Sequence, residues 1–192
     1  MATAPINPNV ITTLRLPLAP IAVAFLYTQT LWGMIVAASL AVVLEITDIA
    51  DGFIARRYNI ESDFGKLYDP FSDAFCRYTL FMGIYAIDIA SLWMVLALFY
   101  RDSSISFLRT IAATRGIVIA ARWSGKLKAW VQGVGTQIIF IILILGQLEV
   151  MSTAAAWWVM LVVTLVTLYS FFDYYAGNWF VIRESWTQKV ST

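Results

Sequence analysis

Two long runs without a charged residue constrain this chain more than any other feature of its sequence. Ala129–Leu148 and Val150–Phe172 contain 20 and 23 residues, and neither run includes Asp, Glu, Lys or Arg. A helix of about 20 apolar residues spans the ~30 Å hydrocarbon core of a bilayer. Soluble domains carry charge on about a quarter of their residues, whereas here the charged fraction is 13% and the hydrophobic fraction is 60%. The sequence therefore predicts an all-α, polytopic membrane protein.

The rest of the apolar sequence divides into four further helices. Leu16–Leu44 is uncharged over 29 residues, which is too long for one span, and the polar residues at 28–30 interrupt it. Another break falls at 88–91. These breaks predict six transmembrane helices, at roughly 10–28, 31–57, 66–87, 91–113, 129–148 and 152–178. Met1–Asn9 is predicted to be a short N-terminal interfacial segment, and residues 1–192 are predicted to form a single membrane domain.

The basic residues fall on one side of the predicted spans. Lys and Arg occur in the regions that follow spans two, four and six, while the connections around Gln29, Asp88 and Glu149 hold none. The positive-inside rule then places both termini in the cytoplasm, in what we expect to be a bacterial inner membrane. A net charge of +1 gives no indication of a nucleic-acid partner. Because the chain has no His, a bound metal ion would need oxygen ligands, and Cys76 is predicted to be a small buried side chain.

Four aspartates lie near the cytoplasmic ends of predicted spans two and three. Asp48 and Asp51 are three residues apart, and Asp69 and Asp73 are four apart, so each pair shares one helix face. Antiparallel packing of the two helices is expected to bring the four carboxylates together. Each would cost about 2.5–3.5 kcal/mol inside a membrane, and two Mg²⁺ or Mn²⁺ ions would offset their mutual repulsion. The alternative is that they are solvated helix caps or ion-pair partners of neighbouring arginines.

Small residues follow the aspartates closely. Gly52 and Ala55 lie near the face of span two that carries the aspartates, and Gly65 opens span three. Without bulky side chains, these positions would let a planar base or a pyrophosphate approach the backbone. Close contact between helices is the alternative for the small residues. Since intramembrane aspartates also mark ion pathways, a divalent-cation transporter is a second hypothesis for the whole chain.

Together these residues form the pattern Asp48-x2-Asp51-Gly52-x2-Ala55-Arg56-x8-Gly65-x3-Asp69-x3-Asp73. The pattern is similar to the full signature of the CDP-alcohol phosphotransferase family, whose six-span layout is also similar. The resemblance implies an enzyme that moves a phosphatidyl or phospho-alcohol group from a CDP-linked donor to an acceptor hydroxyl and releases CMP. It also implies a homodimer. The implied ligands of the divalent cations are the four carboxylates of Asp48, Asp51, Asp69 and Asp73. The implied general base is Asp73, and the implied lining of the CDP site is Gly52, Ala55, Arg56 and Gly65.

The second half of the chain places basic residues on the same side as the aspartates. Six cations lie between positions 101 and 128, namely Arg101, Arg109, Arg115, Arg122, Lys126 and Lys128. Phosphate recognition uses clustered Arg and Lys, so we expect an acceptor that itself carries a phosphate. The alternative for three of them is anchoring to anionic lipid headgroups from a loop, namely for Arg115, Arg122 and Lys128.

One branch of the family is similar in this region. The order Arg101-Asp102-x6-Arg109, followed by Gly125-Lys126-x-Lys128, resembles the branch whose acceptor is sn-glycerol 3-phosphate. The opening Asn9-x2-Thr12-x2-Arg15-x4-Pro20 and the closing Tyr169-Ser170…Asp173-Tyr174-Tyr175 are also similar to that branch. The resemblance implies CDP-diacylglycerol as donor, membrane lipids as surroundings, and an acceptor phosphate held by Arg101, Arg109 and Lys126. Inositol phosphate, serine or another alcohol is the alternative acceptor.

Overall fold

The computed structural model describes residues 8–58, 63–114, 117, 119 and 122–187, and this part of the chain forms six α-helices and no strand. In chain order the helices are α1 (Pro8–Tyr27), α2 (Leu31–Tyr58), α3 (Asp63–Ala86), α4 (Leu92–Thr114), α5 (Trp123–Gln147) and α6 (Ala154–Thr187). The all-α prediction is confirmed for these residues, and each predicted span has its helix.

Two helices extend beyond their predicted bounds by more than three residues. α5 begins at Trp123 rather than at 129, and α6 continues to Thr187 rather than ending at 178. The predicted bounds followed uncharged sequence, but a helix continues past a charge that finds a partner. Lys128, for example, lies within α5 and donates to Asp102. In α6 the backbone leaves helical angles at Asn178 (φ −125°, ψ 17°), so the predicted end coincides with a kink.

Three short connections join the helices at the end opposite to the aspartates. Each contains one residue with a left-handed backbone: Gln29 (φ 51°), Asp88 (φ 61°) and Glu149 (φ 58°). The side chain of Gln147 donates to the Gln29 carbonyl at 3.1 Å, which joins two of these connections. The helix breaks predicted around these three residues are therefore confirmed. Of the predicted interfacial segment, residues 1–7 lie outside the described residues, and α1 already begins at Pro8.

The helices contact one another in a closed order of α1, α2, α5, α6, α4, α3 and back to α1. Small side chains let α1 and α2 approach closely, and four of them are fully buried: Ala19, Ala22, Ala37 and Ala41. The expected direct packing of α2 against α3 is largely wrong, since these two helices touch only weakly. Instead α1 packs against both, because its small and polar residues fit the two neighbours at once.

Three helices contain segments that are long and apolar enough to cross a membrane, namely Leu31–Ala50, Trp123–Gln147 and Ala154–Phe180. Large apolar side chains are exposed on the surface of the bundle, such as Trp32 and Trp130, which suits contact with lipid. α3 and α4 carry several charged residues along their length, so a crossing by all six helices stays a prediction.

Candidate active site

One turn of α1 holds carboxylates from both α2 and α3. Arg15 Nη1 donates to Asp48 Oδ1 at 2.6 Å, and the arginine side chain is 2% exposed while the aspartate is 35% exposed. Thr12 Oγ1 donates to Asp69 Oδ1 at 3.0 Å. Because Thr12 and Arg15 are three residues apart, they lie on one face of α1. The structure therefore brings Asp48 and Asp69 to the same turn of a third helix, which the sequence had not indicated.

The register of α1 on α3 is fixed by two further hydrogen bonds to backbone carbonyls. Ser72 Oγ donates to the Thr12 carbonyl at 3.2 Å, and Cys76 Sγ donates to the Arg15 carbonyl at 3.5 Å. Both donors are buried, which confirms the prediction for Cys76. The two carbonyls belong to Thr12 and Arg15, which hold the aspartates. These hydrogen bonds to α3 therefore also fix the backbone positions from which the Thr12 and Arg15 side chains extend.

Asp73 is held by an arginine of its own helix. Arg77 Nε donates to Asp73 Oδ1 at 3.0 Å, and the arginine side chain is 12% exposed against 38% for the aspartate. Arg77 Nη1 lies 3.4 Å from Glu45 Oε1 of α2 and donates to the Ala129 carbonyl of α5, also at 3.4 Å. One guanidinium thus joins α2, α3 and α5 beside the predicted general base.

We call Asp48, Asp69 and Asp73 the carboxylate cluster. In each of them the hydrogen bond engages Oδ1, and Oδ2 accepts none from the part of the chain that the structure describes. Oxygens of this kind are the ligands that Mg²⁺ and Mn²⁺ prefer, so the donor set fits a divalent cation. Among the described side chains no three acidic or thiol groups converge to form a complete metal site. A site here therefore needs further oxygens, from Asp51 or from a bound phosphate.

The predicted CDP-binding residues are only partly described. Gly65 is buried in the first turns of α3. Three others belong to the helical end of α2, but their surroundings fall outside the described residues: Gly52, Ala55 and Arg56. The same holds for the side chain of Asp51. The binding roles of these residues stay predictions.

A cavity of about 360 Å³ lies next to the carboxylate cluster, between α2, α3 and α5. Glu45, Asp48 and Arg77 line one side, while Trp130 and other residues of α5 line the opposite side. Gly133 of α5 faces Glu45, and a Cβ atom at this position would lie 3.1 Å from Glu45 Oε2. The missing side chain of Gly133 therefore lets the glutamate approach α5 closely.

A second polar group is buried between α4, α5 and α6. Asp102 receives hydrogen bonds from both sides, at 2.6 Å from Arg101 Nη1 and at 2.7 Å from Lys128 Nζ. Arg101 Nη2 also donates to Ser170 Oγ at 2.6 Å. The two cations are almost completely buried, so Asp102 supplies the negative charge that they need in this environment. Arg101 Nε is buried and has no hydrogen-bond partner among the described residues.

Tyr174 brings two of the three predicted acceptor-binding residues together. Its ring is 1% exposed, and the guanidinium carbons of Arg101 and Arg109 lie 5.8 and 5.5 Å from its centre. Arg109 Nη2 donates to the Tyr174 hydroxyl at 2.7 Å. Gly125 lies against the same ring, and the exposed Lys126 follows it. We call Arg101, Arg109 and Lys126 the basic cluster; its two outer members are exposed.

The start of α5 is tied to α6 by a forked ion pair. Arg122 donates from Nε and Nη2 to the two carboxylate oxygens of Asp173, at 2.7 and 2.8 Å. Ser124 Oγ donates to the same carboxylate at 2.5 Å. The hydrogen bond to Asp173 raises the pKa of the Arg122 guanidinium above its ordinary value.

Of the two described cations to which the lipid-anchoring alternative was applied, one is paired within the protein and the other is buried. Arg122 is paired with Asp173, and Lys128 is buried in α5 rather than exposed in a loop. Both positive charges are therefore already balanced within the protein. Arg115 lies outside the described residues.

Sequence reasoning missed several residues that organise these two clusters. Glu45 and Arg77 were given no role, although Arg77 follows Asp73 by four residues, a spacing that places both on one helix face. Thr12, Arg15 and Tyr174 were noted only as parts of similar motifs. Nothing in the spacing along the chain indicated that α1 would supply partners for the aspartates of α2 and α3.

Known proteins are similar to this chain over most of its length. The family model of CDP-alcohol phosphatidyltransferases matches residues 5–169. A CDP-diacylglycerol–glycerol-3-phosphate 3-phosphatidyltransferase of Bacillus subtilis is 29% identical over 192 residues, covering 93% of this chain and 97% of the relative. A probable phosphatidylglycerophosphate synthase of Mycobacterium tuberculosis is 31% identical over 171 residues, covering 88% and 79%. A 3-phosphatidyltransferase of Cereibacter sphaeroides, with the same name as the Bacillus protein, is 30% identical over 155 residues, covering 79% and 70%.

Proposed function

Because the chain belongs to the CDP-alcohol phosphatidyltransferase family, we propose that it transfers a phosphatidyl group from CDP-diacylglycerol to sn-glycerol 3-phosphate. The products are phosphatidylglycerophosphate and CMP. The names of the Bacillus and Cereibacter relatives support this choice of donor and acceptor. The observation that carries the proposal is the placement of two clusters of opposite charge around one helix, α5, at the same end of the bundle.

The carboxylate cluster is the proposed site of the divalent cations. Together with Asp51, the three aspartates of the cluster supply oxygen ligands only, and the chain has no His that could add a nitrogen ligand. Bound Mg²⁺ or Mn²⁺ would neutralise the negative charge that develops on the leaving CMP. The CDP group is placed by the end of α2 and the start of α3, through Gly52, Ala55, Arg56 and Gly65.

Asp73 acts as the general base in this proposal. Its exposed carboxylate takes the proton from the free hydroxyl of the acceptor. The hydroxyl oxygen then forms a bond to the phosphorus that carries the diacylglycerol, and the bond between that phosphorus and the CMP oxygen breaks. Arg15 and Thr12 keep the neighbouring carboxylates in place without occupying their second oxygens.

The basic cluster binds the phosphate of the acceptor. Arg109 and Lys126 are exposed and contact the phosphate directly. Arg101 is buried behind them, and its Nε–H donates to no described residue. Charge-assisted hydrogen bonds of this type are about twice as strong as neutral ones, so they favour a phosphorylated acceptor over serine or choline.

The protein is an integral membrane protein, as its apolar helices and its family indicate. We place all six helices across the bacterial cytoplasmic membrane, with both termini and the two clusters on the cytoplasmic side. This orientation gives the site access to water-soluble glycerol 3-phosphate, while the donor enters from the bilayer. We further propose that the enzyme is a homodimer.

The acceptor is tested by measuring CMP release from CDP-diacylglycerol in mixed micelles of purified protein. Glycerol 3-phosphate should stimulate release, while inositol phosphate and serine should not. Stimulation by inositol phosphate or serine alone would overturn the acceptor and leave the family reaction intact. Metal uptake into proteoliposomes that needs no CDP-lipid would instead favour the transporter hypothesis.

A further inference from the structure

We propose that Arg77 is a positioning residue that orients the carboxylate of Asp73 and sets its distance from α5. The inference rests on the proposed function, in which Asp73 takes the proton from the acceptor hydroxyl. Asp73 is the most exposed of the aspartates whose ion pairs are described, at 38%. A carboxylate with that much freedom needs a fixed partner if it is to meet the acceptor in one geometry.

The contacts of Arg77 fix the direction of its Nε donor. A guanidinium is planar and presents its five N–H groups in fixed directions. With Nη1 held between the Glu45 carboxylate and the Ala129 carbonyl, each 3.4 Å away, the plane has little freedom to turn. Nε then points at Asp73 Oδ1, 3.0 Å away. The single donor orients the carboxylate while it leaves Oδ2 for the chemistry.

The same contacts connect the base to the acceptor-binding helix. Ala129 follows Lys126 by three residues, so its carbonyl lies one turn from an exposed member of the basic cluster. Arg77 therefore spans from the residue that takes the proton to the helix that holds the acceptor phosphate. A lysine would keep the charge but, as a point donor, would not hold both directions.

Glu45 holds Arg77 and so acts through it. The glutamate reaches the guanidinium because Gly133 of α5 leaves space for its carboxylate. Without Arg77, Glu45 and Asp73 would lose the cation with which both are paired. This arrangement predicts that replacements of Glu45 and Arg77 are not additive.

The test compares Arg77→Met, Arg77→Lys, Glu45→Gln and the double variant, using kcat and both KM values in the CMP-release assay. For Arg77→Met we expect kcat to fall about 100-fold, the loss typical of a base displaced by 1 Å, with KM for CDP-diacylglycerol changed less than about twofold. Arg77→Lys should recover about tenfold of this loss, and Glu45→Gln alone should lower kcat a few-fold. In the Arg77→Met background, Glu45→Gln should have no further effect.

Thr79→Val is the matched control two residues further along α3. It removes the hydrogen bond from the Thr79 hydroxyl to the Phe75 carbonyl of the same helix, 2.8 Å long, which involves neither of the two clusters. It should keep the wild-type kcat. Binding of CMP with Mn²⁺, measured by calorimetry, should weaken much less than kcat falls in any variant, because Asp48, Asp51 and Asp69 remain as proposed ligands.

The outcomes separate the possible failures. If Arg77→Met does not fold, then Arg77→Lys and Glu45→Gln carry the test through their kcat values. A wild-type kcat in Arg77→Met, or a Glu45→Gln effect that adds fully to it, would overturn the positioning role. A wild-type protein that ignores glycerol 3-phosphate would overturn the proposed acceptor instead.

Discussion

The carboxylate cluster of α2 and α3 and the basic cluster of α4 and α5 expose opposite members of their ion pairs. In the carboxylate cluster the cation is buried and the acid is open, as in Arg15 at 2% exposure against Asp48 at 35%. Around the basic cluster the acid is enclosed, since Asp102 is 17% exposed and lies between two buried cations. The outer cations of the basic cluster, Arg109 and Lys126, are exposed.

This difference indicates which ligand each region is built to meet. Buried charges need partners inside the protein, so the members that remain exposed are the ones available to a ligand. The carboxylate cluster therefore offers negative oxygens to cations, and the basic cluster offers N–H donors to an anion. The proposed transfer of a phosphatidyl group from a CDP-linked donor to a phosphorylated alcohol would use both. The following predictions test whether the two regions divide the work in this way.

The largest effect is expected in the carboxylate cluster. Asp73→Asn should lower kcat about 1,000-fold, because the amide no longer takes a proton and binds a divalent cation poorly. The CMP-release assay measures it at saturating levels of both substrates. Glu149→Gln, at an exposed acid on the opposite end of the bundle, is the control and should keep full activity. Wild-type turnover in folded Asp73→Asn would break the assignment of chemistry to this cluster.

A smaller effect of a different kind is expected in the basic cluster. Arg109→Ala removes a charge-assisted donor and should raise KM for glycerol 3-phosphate about 10- to 100-fold. KM for CDP-diacylglycerol should stay unchanged, since this region is not proposed to meet the donor. Thr110→Ala, at the neighbouring exposed position, is the matched control. An equal rise in both KM values would show that the two regions are not separate binding sites.

Two lysines about half a turn apart on α5 test whether a buried cation stabilises the fold while an exposed cation binds the ligand. Lys128→Met removes a buried partner of Asp102 and should lower the free energy of unfolding by about 1–3 kcal/mol. Lys126→Met removes an exposed cation, should change that free energy by less than about 0.5 kcal/mol, and should raise KM for glycerol 3-phosphate several-fold. Thermal unfolding in detergent and the CMP-release assay measure the two effects. The reverse pattern would contradict the division between buried support and exposed ligand contact.

The sequence predicted the helices and the breaks between them better than it predicted which helices pack against each other. Uncharged length is a strong signal for a membrane helix, so the breaks around Gln29, Asp88 and Glu149 are all confirmed. Helix ends marked by charge were less predictable. Lys128 was placed in a loop, because its pairing with a residue of another helix cannot be seen from the chain alone.

Sequence reasoning named candidate ligand residues, whose roles stay predictions, and it missed the residues that support them. Asp48 and Asp69 lie at the same end of the bundle as expected, but their partners on α1 depend on which helix faces which. Length and periodicity do not determine that choice when all helices are apolar on several sides. Arg77 was missed too, although its spacing of four residues from Asp73 is local and could have been read from the sequence.

The smallest expected effect concerns two glycines of α5 that face different regions. Gly133→Ala would place a methyl 3.1 Å from the Glu45 carboxylate, so this side chain must shift by a few tenths of an ångström. Because Glu45 holds Arg77, we expect kcat to fall about two- to fivefold with little change in stability. Gly135→Ala is the matched control, since its methyl would meet Val163 of α6, 2.5 Å away. It should lower stability by about 1–3 kcal/mol through overpacking and leave the kcat of the folded protein unchanged. A fall in kcat for Gly135→Ala but not for Gly133→Ala would mean that α5 transmits position to Asp73 through α6 rather than through Glu45 and Arg77.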